Sequence, residues 1–266
     1  MKLTRRQLRN AAIAVAMTAL VVWLIVGAVF PPKPANPTPS APTASVSPTG
    51  KATASTAPPG TYPALAKGTV TAGAGGTRTG PGGLSIGYPQ TPDGAVAAAT
   101  NYTAAQSTDL ILTSEGRTAL LDATVTDRIR PEQARGLEAA AGLRSMSASE
   151  FQSTRGAYAV LRYSGAEAVI VLWAPFYHPG RSDFGQDASL WGIFAVKMAW
   201  AGGDWKFDQA ASENLVVAVR KPSNPGSNPT AEEKAALLHD PTSWTQGNDL
   251  GRFSGLEWLE YANAAR

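Results

Sequence analysis

The first sustained pattern along the chain is an uncharged run from Ala11 to Phe30 whose centre, Leu20 to Val26, is strongly apolar. As a helix rising about 1.5 Å per residue, such a run spans the roughly 30 Å hydrocarbon core of a bilayer. Lys2, Arg5, Arg6 and Arg9 precede it and only Lys33 follows closely, a bias that keeps the amino-terminal side in the cytoplasm. The exit, Val29-Phe30-Pro31-Pro32, lacks the small-x-small site at which a signal peptide is cut. The reading is therefore a retained single-pass anchor: a basic cytoplasmic tail at 1–10, a transmembrane helix at 11–30, and the remainder extracellular.

Beyond Phe30 the apolar pattern stops. Residues 31–60 hold nine prolines among Ala, Thr, Ser and Gly, and 61–85 continue Gly-rich. Few large apolar side chains are present to offset the entropy of ordering, so 31–85 reads as a disordered tether. Proline extends such a chain at about 3.1 Å per residue. The Ser and Thr content admits O-glycosylation.

Periodic sequence resumes near Ile86. Thr91-Pro92-Asp93 has the form of an N-cap, a first-turn proline and a first-turn acid, opening a helix over Ala95 to Gln106 with Ala95, Ala98, Tyr102 and Ala105 on its packing face. Further helices are expected at Glu115 to Ala123 and Pro131 to Gly142. After Gly142 the period becomes two. Strands are expected at Ala157 to Tyr163, Ala168 to Trp173 and Leu190 to Trp200, with Phe194, Val196, Met198 and Trp200 on one side. Gly202-Gly203 then forms a hairpin turn that returns Trp205 and Phe207 to that side, and Leu215 to Val219 adds an edge strand. Helices followed by an antiparallel sheet make an α+β domain, 86–220, with helices on one face. Residues 221–266 read as a Pro/Asn/Gly linker and docking helices, Glu232 to His239 and Leu256 to Ala265, carrying Trp244, Phe253, Trp258 and Tyr261.

The segment Ala199-Trp200-Ala201-Gly202-Gly203-Asp204-Trp205-Lys206-Phe207, placed after three helices, resembles the nuclear-transport-factor-2-like fold, which implies a cone-like domain with a curved sheet around a helix. Together with Gly87-Tyr88-Pro89 and Ala95 to Tyr102, it also resembles an actinobacterial family of anchored proteins found with conjugation-like, type IV secretion gene sets. The resemblance spans roughly 86–210 and implies a fold more than a reaction.

Charge changes the picture only when divided. Eight of the 23 basic residues and none of the 20 acids lie in 1–85, so 86–266 carries 15 bases against 20 acids, a net charge of −5. That argues against nucleic acid as a partner of the exterior domain. The chain has no cysteine, which excludes disulfides and thiolate chemistry. His178, in a loop with Asp183 and Asp187 shortly after, matches no established ligand spacing and reads as a solvent-exposed loop residue. His239 reads as a helix-end residue. Asp204 and Asp208 read as turn and solvent-face acids. No catalytic, cofactor or metal residue is assigned, and no cofactor is expected. Tyr102, Trp173, Trp191, Trp200 and Trp205 are the aromatics expected to line a pocket or interface, with core packing their alternative. The functional expectation is a non-enzymatic assembly component of a type IV secretion-like or other envelope complex, acting through protein partners, with a homo-oligomer among the expected assemblies. The alternatives are a small-molecule or wall-ligand module using a cone pocket and, behind it, an enzyme using His178 or an Asp as base.

Overall fold

The computed structural model describes residues 62–144, 149–178, 189–209, 215–217, 228–240 and 251–265. The expected anchor and the tether as far as residue 61 lie outside the described residues, as do Asp183, Asp187 and Trp244. Among the described residues no helix is long and apolar enough to cross a membrane.

Three two-residue strands come first, β1 (Ala66–Lys67), β2 (Arg78–Thr79) and β3 (Ser85–Ile86). Three helices follow: α1 (Pro92–Ala105), α2 (Ser114–Thr124) and α3 (Arg130–Arg144). Thr91 caps α1 by accepting from the Gly94 amide at 3.0 Å, and Thr113 caps α2 from the Gly116 amide at the same distance. Only glycine fits at 94, because a Cβ there would stand 1.9 Å from the Pro89 carbonyl oxygen.

The sheet is then built by β4 (Glu150–Phe151), β5 (Ala157–Tyr163), β6 (Glu167–Tyr177), β7 (Ser189–Ala201), β8 (Asp204–Phe207) and β9 (Leu215–Val217). It is completed by β10 (Leu259–Glu260), which follows α4 (Ala231–His239) and a helical turn at Gly251–Ser254. The order is β1-β10-β5-β6-β7-β8, with β4 paired to β6 and β9 to β7. The result is an α+β fold with a curved, unclosed sheet. Its pairing is antiparallel apart from β1 with β10. Its spine is β6 against β7, in register from Glu167 opposite Ala199 to Tyr177 opposite Ser189.

Both faces of this spine are buried, which explains why β6 reads as a continuous apolar run. Ile170, Leu172, Ala174 and Met198 face α1; Val171, Trp173, Trp191, Ile193 and Ala195 face the opposite way, toward α4 and Phe253. The expected facing of the hairpin holds. Trp200 lies directly opposite Trp205, Met198 opposite Phe207, and all four share the α1 face with Phe194 and Val196. Gly202 and Gly203, at φ +62° and +77°, form the two-residue turn with positive φ at both positions that matches strand twist.

Three expectations need correction. Residues 62–85 are not tether: Leu65, Val70 and Leu84 are buried, and this segment supplies β1, β2 and the first residue of β3. Their apolar residues are sparse, but each joins a buried cluster, Val70 and Leu84 that of the α1 alanines and Leu65 that of Ala235 and Leu238. For the same reason α1 is buried well beyond its expected stripe, with Val96, Ala97 and Ala99 also covered. Finally, Leu256 to Ala265 is not a helix: Leu259 and Glu260 form a strand between β1 and β5, so part of the supposed tail belongs to the sheet.

Candidate functional site

Asp204 leaves the Gly-Gly turn pointing inward and is 3% exposed. Its Oδ1 accepts from the amides of Tyr88 and Trp205, each at 2.9 Å. Its Oδ2 accepts from the Gly87 amide at 2.7 Å and the Tyr102 hydroxyl at 2.9 Å. With four donors spread over both oxygens, the carboxylate joins three elements: the turn, the Gly87-Tyr88 approach and α1. Burial, and next the Asp204 charge, push the Tyr102 phenol far above its ordinary range, so it remains a neutral donor. Trp205 completes the joint by donating from Nε1 to the Pro89 carbonyl at 2.9 Å. Such an arrangement positions backbone, holding Gly87 and Tyr88 and the start of β8 against α1.

At the rim, Asp208 receives Arg128 Nε on Oδ1 and Arg128 Nη2 on Oδ2, each at 3.0 Å, and Thr126 Oγ1 at 2.5 Å. Lys197 Nζ stands 3.5 Å from it and 3.1 Å from Glu167. Burial raises the Asp208 pKa, but hydrogen bonds from Arg128 and Thr126 and the charges of Arg128 and Lys197 outweigh it, and the net direction is downward. Asp204 and Asp208 are thus buried partners of named donors, not solvent-face acids.

On the opposite face Trp173 and Trp191 pack at a 4.5 Å centroid distance, with the Arg155 guanidinium 5.3 Å from the Trp191 ring centre. Arg155 Nη1 donates to Gln152 Oε1 at 3.0 Å and Ser189 Oγ at 3.4 Å. Below this layer Lys234 of α4 and Glu260 of β10 form an ion pair at 2.7 Å, both side chains fully buried, and Lys234 also reaches the Gly156 carbonyl at 3.3 Å. Lys234 was findable in the sequence, since it sits on the same i, i+3, i+4, i+7 stripe as Ala231, Ala235 and Leu238. Glu260 carries no comparable local signal.

The structure does not bring the five singled-out aromatics together. Tyr102, Trp205 and the half-buried Trp200 lie on the α1 face, whereas Trp173 and Trp191 lie on the other, with the sheet between. His178 is buried at the end of β6, not solvent-exposed. His239 ends α4 as expected, stacking on Tyr62 at 5.8 Å with its Nδ1 3.0 Å from the Ser254 carbonyl oxygen. Among the described residues no group of three or more His, Cys, Asp or Glu could hold a metal ion. An open surface depression of about 410 Å³ is lined by Pro81, Ser114, Glu115, Thr118, Ala119 and Asp122, and by none of the five aromatics.

Residues 29–227 match the family model described as a domain of unknown function, DUF8175. No curated protein matches the chain, and no solved structure does. The matched span stops just ahead of α4, leaving α4 and β10 beyond it. Because that span covers well over half of the chain, the protein belongs to the DUF8175 family.

Proposed function

We propose that the protein is a membrane-anchored, non-enzymatic assembly module of a cell-envelope complex, with its exterior domain working through protein contacts. A type IV secretion or conjugation-like complex is the setting favoured by the resemblance of Ala199 to Phe207 and Ala95 to Tyr102. The single observation that carries the reading is the division of the aromatics into two packed layers: Tyr102, Trp173, Trp191 and Trp205 are each buried against protein neighbours. A domain of that kind offers surfaces to partners in preference to an aromatic cavity. Helices first, then a curved sheet with a Gly-Asp-Trp hairpin, supports a nuclear-transport-factor-2-like cone whose interior is filled by Tyr102, Trp205 and Phe207. The anchor rests on the uncharged run Ala11 to Phe30 and its basic flank.

The test is fractionation of cells followed by cross-linking and pull-down of the full chain from membranes. The expected result is an intact amino terminus in the membrane fraction and reproducible, stoichiometric protein partners. A soluble product beginning after Phe30 sinks the anchor. A chain that cross-links to nothing, while a small molecule raises its melting temperature, sinks the assembly role in favour of a ligand-binding module.

A further inference from the structure

The segment that enters the domain is gripped almost entirely by residues beyond the family match. Tyr62 stacks on His239 of α4, and the Leu65 amide donates to the Ala231 carbonyl at 3.1 Å. Ala66 and Lys67 then pair in parallel with Leu259 and Glu260, and the Gly68 amide donates to the Glu260 carbonyl at 2.8 Å. Further along, the Ala262 amide donates to the Val70 carbonyl at 2.8 Å. The Asn263 side chain closes both backbone groups of Ala72, accepting from its N–H at 3.0 Å and donating to its C=O at 3.1 Å. Lys67 Nζ also reaches the Ala262 carbonyl at 3.3 Å.

The gripping unit is itself cross-braced by the buried Lys234–Glu260 pair, which ties its helix to its strand. By contrast, the entering strap from Tyr62 to Ala72 buries only Leu65 and Val70 among its large side chains, and β1 is a two-residue strand at the sheet edge with both residues exposed. Its side-chain bond to α1 is Thr69 Oγ1 with Asp93. Directly after it, Gly73, at φ +86°, donates its amide to Asn101 Oδ1 of α1 at 2.8 Å and marks where the strap is fixed to the helix.

We propose that residues 228–240 and 251–265 form a latch on this strap, and that the strap leaves the latch in a discrete local motion which leaves the β6–β7 spine folded. Segments with few buried apolar contacts and edge-strand hydrogen bonds are those that open below the global unfolding free energy. Opening releases eleven residues, 62–72, whose span at full extension is about 35 to 40 Å, for the connection to the membrane-side chain. The role of that length, as a reach adjustment for a tethered domain, rests on the anchored reading above; the latch itself does not.

Hydrogen exchange by mass spectrometry on the full chain in detergent micelles tests it. In Asn263→Ala, strap peptides covering Gly68 to Ala72 should exchange about fivefold faster, the factor given by one hydrogen bond of ordinary net strength. Peptides from β6 and β7 should keep their wild-type rates. Lys67→Ala, an exposed change that removes a different bond to the same unit, should accelerate the same peptides by a smaller factor. Strap exchange unchanged in both variants, or strap and spine accelerating together, overturns the latch. If strap exchange behaves as expected while fractionation finds the chain soluble, the latch stands and the anchored reading falls.

Discussion

The two faces of the β6–β7 spine are both buried, yet they are held by opposite kinds of polar chemistry. On the α1 face the buried acid, Asp204, meets neutral donors: three backbone amides and the Tyr102 hydroxyl. On the other, the buried acid, Glu260, meets a lysine ammonium. The first arrangement ties together elements that are already neighbours in space, the helix and the hairpin it covers. The second ties a helix outside the sheet, α4, to one of the sheet's own short strands, β10. A carboxylate satisfied by amides specifies a backbone position, whereas a buried ion pair specifies the register of two movable pieces, because either partner alone would be left charged in an apolar layer.

The largest effects should separate these roles. Glu260→Leu alone leaves the Lys234 ammonium buried and should cost about 3–5 kcal/mol in a denaturant titration, whereas the double variant Lys234→Met/Glu260→Leu should recover most of that loss. A double variant as unstable as the single would mean that the pair contributes more than mutual neutralisation. On the α1 face Trp205→Ala, which removes a fully buried indole and its bond to Pro89, should also cost about 3–5 kcal/mol. An unfolding midpoint equal to wild type would show that the hairpin packs less tightly than its burial implies. Next in size, Tyr102→Phe removes one donor from Asp204 and leaves the ring contacts in place, so about 1.5–3 kcal/mol is expected, the range for a hydrogen bond to a charged group.

The two faces also differ in how much of each the sequence discloses. Alternation along Phe194 to Trp200, the Gly-Gly turn and the Thr91 cap are local signals, and each places its residues as the structure does. The partner of that face, α1, is found by its Thr91 cap and first-turn proline, although its burial reaches well beyond the alanine stripe. What stays illegible is long-range. Nothing near Asp204 in sequence indicates that its donors are Gly87, Tyr88 and Tyr102, more than a hundred residues earlier. Likewise Leu259 and Glu260 form a strand only because β1 and β5 flank them, and the sparse apolar residues Leu65 and Val70 gain their meaning from α4 and β10. The aromatic set fails as a single pocket for a related reason: period-two alternation tells which residues of one strand share a face, but not that Trp173 and Trp200 lie on opposite faces of paired strands until the register is known.

The smallest effect sits at the rim of the α1 face and is visible only through pH. Asp208 joins the end of β8 to Thr126 and Arg128 in the connection between α2 and α3, with Lys197 of β7 alongside. Its folded pKa lies below its unfolded value, because the donors and cations around it outweigh the burial that opposes ionisation. The unfolded chain therefore binds the proton more readily, and stability rises with pH through this region. The contribution is complete above the unfolded aspartate value of about 3.9 and disappears as pH falls through the folded value. Arg128 is half exposed, which screens the pair and limits the expected contribution to about 1 kcal/mol or less. Asp208→Asn should accordingly flatten the acid side of the stability profile and lower stability slightly at neutral pH. Profiles that differ in full above about pH 4 and converge as pH falls further would agree with this reading, whereas a variant less stable by the same amount at every pH would assign Asp208 a packing role in place of an ionic one.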